Sequence, residues 1–332
     1  MTNARSEIVD NEEVGIYHCV SRCVRRAYLC GHDSVSGRSF EHRRLWIRGR
    51  LSFLTEIFAI EVVAYAVMSN HLHSLIRIRP DVAGEWSAEE VARRWRLLFP
   101  LRRVKGAPAK PNEAEIEALV HQPKKIALYR ERLSSVSWFN RCLNEKIARQ
   151  ANAEDECKGR FWEGRFKCQR VYDLAGVVAC AVYIDLNPVR AGMAKTLEES
   201  DHTSVQERLG GVSKRVAKRC SAWPKVSLLS VAQMTERTMT LEEYLELVDE
   251  TGRLIVEGKK SISEKVEPIL RRLKVNPERW VENTKGFRER FKRVVGAESC
   301  LRAAAKRAKK RWFAGVRAAR GVFLEGAALS KG

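Results

Sequence analysis

Ala64-Tyr65-Ala66-Val67-Met68-Ser69-Asn70-His71-Leu72-His73-Ser74-Leu75-Ile76-Arg77-Ile78 consists of two apolar runs split by Ser69-Asn70. Ser and Asn form turns, and the flanking runs are rich in β-branched and aromatic residues. The stretch therefore reads as a hairpin, with a strand over Ile60 to Met68, a tight turn, and a strand over His71 to Ile78. Successive side chains on a strand alternate faces, so the imidazoles of His71 and His73 share one face while Leu72 points into the core. Two neutral imidazoles side by side make half of a divalent-metal site. Ordinary packing in a strand also accommodates such a pair, so the reading needs support from elsewhere in the chain.

Upstream, Val14 to Ser21 has the β-branched and aromatic content of a first strand. From Phe40 to about Ala59, apolar Leu45, Trp46, Leu51, Leu54, Ile57 and Phe58 recur at roughly helical spacing among arginines, which predicts an amphipathic helix. The order is β-α-β-β, with the histidines on a central hairpin. Residues 81–156 read as a polar helical insertion, with a helix start at Ser87-Ala88-Glu89-Glu90 and breaks at Pro108, Pro111 and Pro123. Gly159 to Val171 alternates arginine with aromatic residues and reads as a fourth strand with its loop. Asp173 then caps a helix that runs through Tyr183 until Pro188 stops it. Tyr183 and Asn187, four residues apart, lie on one face of that helix. Beyond Leu197 the chain reads as mostly helical. Thr240-Leu241-Glu242-Glu243 opens one helix, and basic residues dominate from Lys285 to Arg320.

A chain of 332 residues with 45% hydrophobic content can bury a full core. Its formal net charge of +20 points to a polyanionic partner, nucleic acid first, because such an excess otherwise costs self-repulsion. No stretch approaches the roughly 18 apolar residues that span a bilayer, and the polar start Met1-Thr2-Asn3-Ala4-Arg5-Ser6-Glu7 lacks the apolar run of a signal peptide. A cytoplasmic, nucleoid-associated protein is expected. Nine cysteines, an odd number scattered from Cys19 to Cys300, do not make a disulfide framework in a chain this long. Cys19, Cys23 and Cys30 cluster, but at spacings that match no usual zinc pattern.

Four segments together resemble the HUH single-tyrosine transposases, and within them the REP-associated tyrosine transposases. They are Tyr17-His18-Cys19-Val20-Ser21-Arg22, Ala66 to His73, Gly159-Arg160-Phe161-Trp162-Glu163-Gly164-Arg165-Phe166, and Tyr183-Ile184-Asp185-Leu186-Asn187-Pro188-Val189-Arg190-Ala191-Gly192. They occur in the family's order and span roughly residues 14 to 195. The resemblance implies an α+β catalytic domain over 1–196, a ferredoxin-like or RRM-like β-α-β-β-α-β core with an antiparallel sheet, interrupted by the insertion at about 81–156. Residues 197–332 would form a helical, basic C-terminal extension. It further implies a divalent metal held by the two histidines and a nucleophilic tyrosine on the last helix of the domain. Such enzymes cut single-stranded DNA, often near a hairpin, and remain joined to the 5′ phosphate. The insertion and the extension depart from the shortest family members.

The chemistry suits these residues. A phosphodiester resists attack because its charge repels nucleophiles and its leaving alkoxide is poor, and a metal on the phosphate oxygens reduces both problems. A phosphotyrosyl bond can in turn be attacked by a DNA hydroxyl, so Tyr183 serves a reversible exchange. His71 and His73 are the candidate ligands and Asn187 the third, through its amide oxygen; this nitrogen and oxygen set suits Mg2+ or Mn2+. Asn187 precedes a proline, which disfavours helical backbone there. Candidate DNA contacts are His18, Arg22, Arg160, Trp162, Arg165 and Arg190. Each has a plain alternative: a packed Tyr183, an Asn187 that caps its helix, a His18 satisfied in the core, and strand-edge or turn roles for Arg160, Trp162, Arg165 and Arg190. Rival functions are a DNA-binding protein that keeps the fold without catalysis, a replication-initiator or relaxase-type nicking enzyme, and a histidine-triad hydrolase. The last wants a third histidine where Leu75 stands.

Overall fold

The computed structural model describes residues 7–24, 28–33 and 36–324; the polar start over 1–6 lies outside the described residues. Strand β1 (Gly15–Arg22) is followed by helix α1 (Arg43–Ile57), β2 (Ile60–Val67) and β3 (His71–Ile78). The insertion comprises α2 (Pro80–Glu85), α3 (Ala88–Leu98), a small hairpin of β4 (Arg103–Val104) and β5 (Ala107–Pro108), α4 (Glu113–Val120), α5 (Pro123–Leu133) and α6 (Val136–Glu154). Strand β6 (Lys167–Val171) leads into α7 (Leu174–Asp185) and the short α8 (Asn187–Arg190). The extension contains α9 (Ser204–Gly210), α10 (Lys214–Arg219), α11 (Val231–Met234), α12 (Leu241–Glu257), α13 (Glu267–Arg272), α14 (Pro277–Lys285) and α15 (Phe287–Arg290). After these come β7 (Val294–Val295), α16 (Glu298–Arg307) and α17 (Val316–Val322).

The cap signals act where the side chains predict. Ser87 accepts from the Glu90 amide, Asp173 from the Gly176 amide at 2.7 Å, and Thr240 and Glu243 form a reciprocal capping box. The fourth strand is shorter than the alternation suggests. It begins at Lys167, because Gly159 at φ +126° and the exposed Glu163-Gly164-Arg165 turn the preceding segment into a loop.

The sheet order is β2-β3-β1-β6-β7. The first four strands are antiparallel, and α1 and α6 pack on one face of them through Ile47, Leu51, Leu54, Phe139 and Leu143. The α+β class holds, but the wholly antiparallel sheet does not. β7 joins β6 in parallel and makes the sheet mixed. An exposed sheet edge leaves peptide groups unpaired, and the extension covers this one: the Arg170 amide donates to the Arg293 carbonyl and the Tyr172 amide to the Val295 carbonyl.

The other face is covered by α7, whose run Leu-Ala-Gly-Val-Val-Ala-Cys-Ala-Val-Tyr-Ile-Asp is apolar nearly all round. Such a helix needs burial on every side. The sheet supplies one side through Ala64, Ala66 and Leu75, and the extension supplies the other through Leu247, Val248, Trp280 and Phe287. Residues on both sides of position 196 therefore share one hydrophobic cluster. Strands buried on both faces also read as near-continuous apolar runs, which is the pattern of Ile60 to Val67.

Several positive charges are spent inside the protein. Arg48 on α1 donates to Tyr65 Oη at 2.8 Å, Gln206 Oε1 at 3.0 Å, Glu207 and the Pro224 carbonyl, because the extension covers the face that the arginines of α1 would otherwise present to water. Fully buried Asp185 ties α7 to the extension: it accepts from Ser204 Oγ, the Val205 amide, Arg208 and Tyr244 Oη at 2.7 Å. Asp185→Ala should leave the buried Arg208 guanidinium without its carboxylate and lower unfolding free energy by about 3–5 kcal/mol, read by urea denaturation. A decrease below about 1 kcal/mol would show that Asp185 does not hold these layers together. Among the described residues no disulfide forms and no helix is long and apolar enough to cross a membrane.

Candidate active site

Register builds the site. In the β1–β3 ladder Arg22 lies opposite His71 and Val20 opposite His73; in the β1–β6 ladder His18 lies opposite Gln169. The strand period of two then places His18, His71, His73 and Gln169 on the face covered by α7, and Leu72 on the α1 face. The ring centroids of His71 and His73 are 4.8 Å apart, and those of His18 and His73 are 5.1 Å apart. From α7, Tyr183 meets both buried histidines edge-on, at 5.7 Å from His73 and 6.1 Å from His18.

The Tyr183 ring is held from two directions. Phe287 stacks on it at 4.9 Å, and the Arg190 guanidinium carbon lies 4.8 Å from its centroid. Arg190 is itself anchored to the Lys285 carbonyl at 2.6 Å. Burial pushes the Tyr183 phenol above its ordinary value; Arg190, which also hydrogen-bonds it, and Arg288 oppose that shift by favouring the phenolate.

Burial dominates the histidines as well. It lowers His18 to about 4 and His71 to about 4, with Arg22 and Arg288 adding to the effect at His71, and it holds His73 well below the ordinary imidazole range. All three are neutral at pH 7, the form that ligates metals. His71 Nδ1 lies 2.6 Å from Asn70 Oδ1 and donates to it, which leaves Nε2 with its lone pair. Asn187 turns its amide nitrogen back to the Tyr183 carbonyl at 2.9 Å, the capping geometry, while its Oδ1 accepts no hydrogen bond among the described residues. The donor chemistry thus fits a cation taken by two imidazoles and an amide oxygen. Among the described residues no group of three or more His, Cys, Asp or Glu side chains is gathered to hold a metal.

A cavity of about 340 Å³ opens beside His18 and His73 and is lined further by Lys167, Gln169, Arg288, Phe291 and Lys292. Lys167, Arg288 and Lys292 are exposed. Of the other predicted contacts, Arg22 reaches the site rim through its register with His71. The loop carrying Trp162 pairs with the end of β1, but the indole is committed to the Asn144 carbonyl at 2.8 Å and packs against the α6 side. Arg160 and Arg165 are exposed on that loop.

His18 sits deeper than a surface contact would. It is 3% exposed, and both ring nitrogens are used within the protein, Nδ1 with Gln169 Oε1 at 2.6 Å and Nε2 with His73 Nδ1 at 2.8 Å. The sequence reading does not place Lys167, Gln169, Phe287 or Phe291 at the site, and it includes Arg288 and Lys292 only within the basic stretch from Lys285 to Arg320. Gln169 carries no distinct signal, because its strand Lys167-Cys168-Gln169-Arg170-Val171 holds two other polar residues, and the residues from the extension lie about a hundred positions from the motif they meet. Comparison of the chain with protein-family models, with curated proteins and with solved structures finds no match.

Proposed function

We propose that this chain is a single-stranded DNA endonuclease and strand transferase of the HUH single-tyrosine type, acting through a 5′-phosphotyrosine intermediate. The observation that carries the reading is the convergence of Tyr183, held by Arg190, on the neutral His71 and His73 from a separate layer of the fold. Tyr183 Oη attacks the scissile phosphorus and forms the phosphotyrosyl bond while the bond to the 3′ oxygen breaks. In the net reaction the phenol proton ends on that oxygen, which leaves as a free 3′ hydroxyl. Arg190 stabilises the developing phenolate, and Arg288, Lys167 and Lys292 attract the phosphate backbone. A divalent metal held by His71, His73 and Asn187, Mg2+ or Mn2+, would neutralise the phosphate oxygens. The substrate is single-stranded DNA with a hairpin, met in the cytoplasm at the nucleoid. The test is incubation with labelled single-stranded hairpins, scored for a protein-linked 5′ end.

One observation favours a rival reading, a DNA-binding protein that keeps the fold without the chemistry: Tyr183 is 4% exposed, beneath Phe287. Binding of hairpins with no adduct under any metal would support that reading and exclude the first.

The basic stretch from Lys285 to Arg320 supplies non-specific DNA affinity in this proposal. Its apolar residues Phe287, Val294, Val295, Leu301 and Phe313 are core, so deletion would test folding rather than binding. Exposed Lys306, Lys309, Arg311 and Arg317 make no ion pair among the described residues and can be changed to Ser. For every phosphate that a substitution leaves unneutralised, the slope of log K against log salt should fall by about 0.7 for single strands. An unchanged slope would assign these side chains to plain solvation.

A further inference from the structure

We propose that Gln169 and His18 are positioning residues that set the tautomer of His73, so that the His-x-His pair presents two Nε2 lone pairs to one side. The inference deepens the metal-dependent reading above and rests on it for its purpose, but not for its geometry. The chain of hydrogen bonds starts at an acceptor in the extension, the Phe291 carbonyl. Gln169 Nε2 donates to the Phe291 carbonyl, which orients the amide and turns Oε1 toward His18. An amide oxygen only accepts, so His18 Nδ1, 2.6 Å away, carries a hydrogen. A second proton on His18 would place a charge in a buried ring beside Lys167, Arg288 and Lys292. His18 is therefore the neutral Nδ1–H tautomer, and its Nε2 is an acceptor. His73 Nδ1, 2.8 Å from that Nε2, must then donate, which leaves the lone pair of His73 on Nε2. At His71 the Asn70 side chain does the same work in one step.

The two imidazoles thus reach the same state by different routes, one local and one anchored at Phe291, 122 residues beyond Gln169 in the chain. Supporting partners of this kind fix ring orientation and tautomer in histidine sites, and their removal costs about 10–100-fold in metal affinity. The arrangement also gives the extension a role in the site that its charge does not reveal: removal of the Phe291 carbonyl frees the Gln169 amide to flip, and the tautomer of His73 is then no longer specified.

The full-length, metal-free protein with 15N-labelled histidine tests this directly. The expected spectrum at neutral pH has His73 Nδ1 with the shift of a protonated, pyrrole-type nitrogen and Nε2 with that of a pyridine-type nitrogen. A protonated Nε2, or values averaged between tautomers, overturns the proposal. Gln169→Leu should bring the His73 shifts to averaged values and weaken Mn2+ binding, measured by calorimetry, by about 10–100-fold. Gln169→Glu puts a carboxylate against His18 Nδ1, which favours a doubly protonated His18 that donates through Nε2, and should move the His73 hydrogen to its Nε2. Circular dichroism confirms that each variant folds, and the wild-type spectrum decides the matter even if one does not. Unchanged His73 shifts in folded Gln169→Leu overturn the proposal. Fixed tautomers in a wild-type protein that takes up no Mn2+ uphold the hydrogen-bond assignment and overturn the metal reading instead.

Discussion

Tyr183→Phe should remove every trace of the covalent DNA adduct and leave hairpin binding close to wild type. The substitution deletes one hydroxyl and keeps the ring that Phe287 stacks on, so the packing of α7 against the extension persists. Loss of the hydrogen bond with the charged Arg190 weakens the fold by no more than about 3 kcal/mol. The loss should be complete if Tyr183 is the nucleophile, because the hydroxyl is the attacking group. Tyr172, the next tyrosine along the chain, lies at the opposite end of β6 and lines cavities with Arg307 and Asp10 rather than with the histidines. Denaturing gels of protein incubated with 3′-labelled hairpin substrate, whose label stays on the fragment joined through its 5′ phosphate, read the outcome. A labelled band in the Phe variant would sink the assignment of Tyr183 and, with it, the chemistry proposed for the site.

The double variant His71→Ala, His73→Ala should lose cleavage by on the order of 10³-fold or more, and excess chelator should do the same to the wild-type protein. A cation on the phosphate oxygens stabilises charge that develops in the transition state and is worth several kcal/mol there; each 1.36 kcal/mol is about tenfold in rate. His71 is the more informative single site. It is only part-buried and supported locally by Asn70, so His71→Ala changes the ligand set without emptying the core. His73 is 1% exposed and wedged between His18 and Tyr183, so its removal also leaves a cavity. Single-turnover cleavage rates at saturating Mn2+ separate the effects. Full activity of the double variant, or of the wild type in chelator, would exclude metal-assisted transesterification.

The sequence by itself determined the hairpin, the faces of its strands and the caps of its helices, because these depend on neighbours within a few residues. Ser69-Asn70 turns, His71 and His73 share a face by the period of two, and Asp173 closes the first turn of α7. Alternation also told Leu72 from the histidines. What it did not reveal is what lies above that face. The apolar circumference of α7 was a visible sign that a second layer must cover it, yet nothing local says that the cover is the basic extension, or that Phe287 lands on Tyr183. Charge was the more misleading guide. Arg48 and Arg208 count toward the net charge of +20, yet the fold places carboxylates and carbonyls around them. The tertiary structure alone decided that β7 seals the sheet edge, that His18 supports His73 from behind, and that Gln169 links both to the Phe291 carbonyl. Those contacts are set by the packing of a closed core and by the need to pair every buried donor, conditions that exist only once distant segments have met.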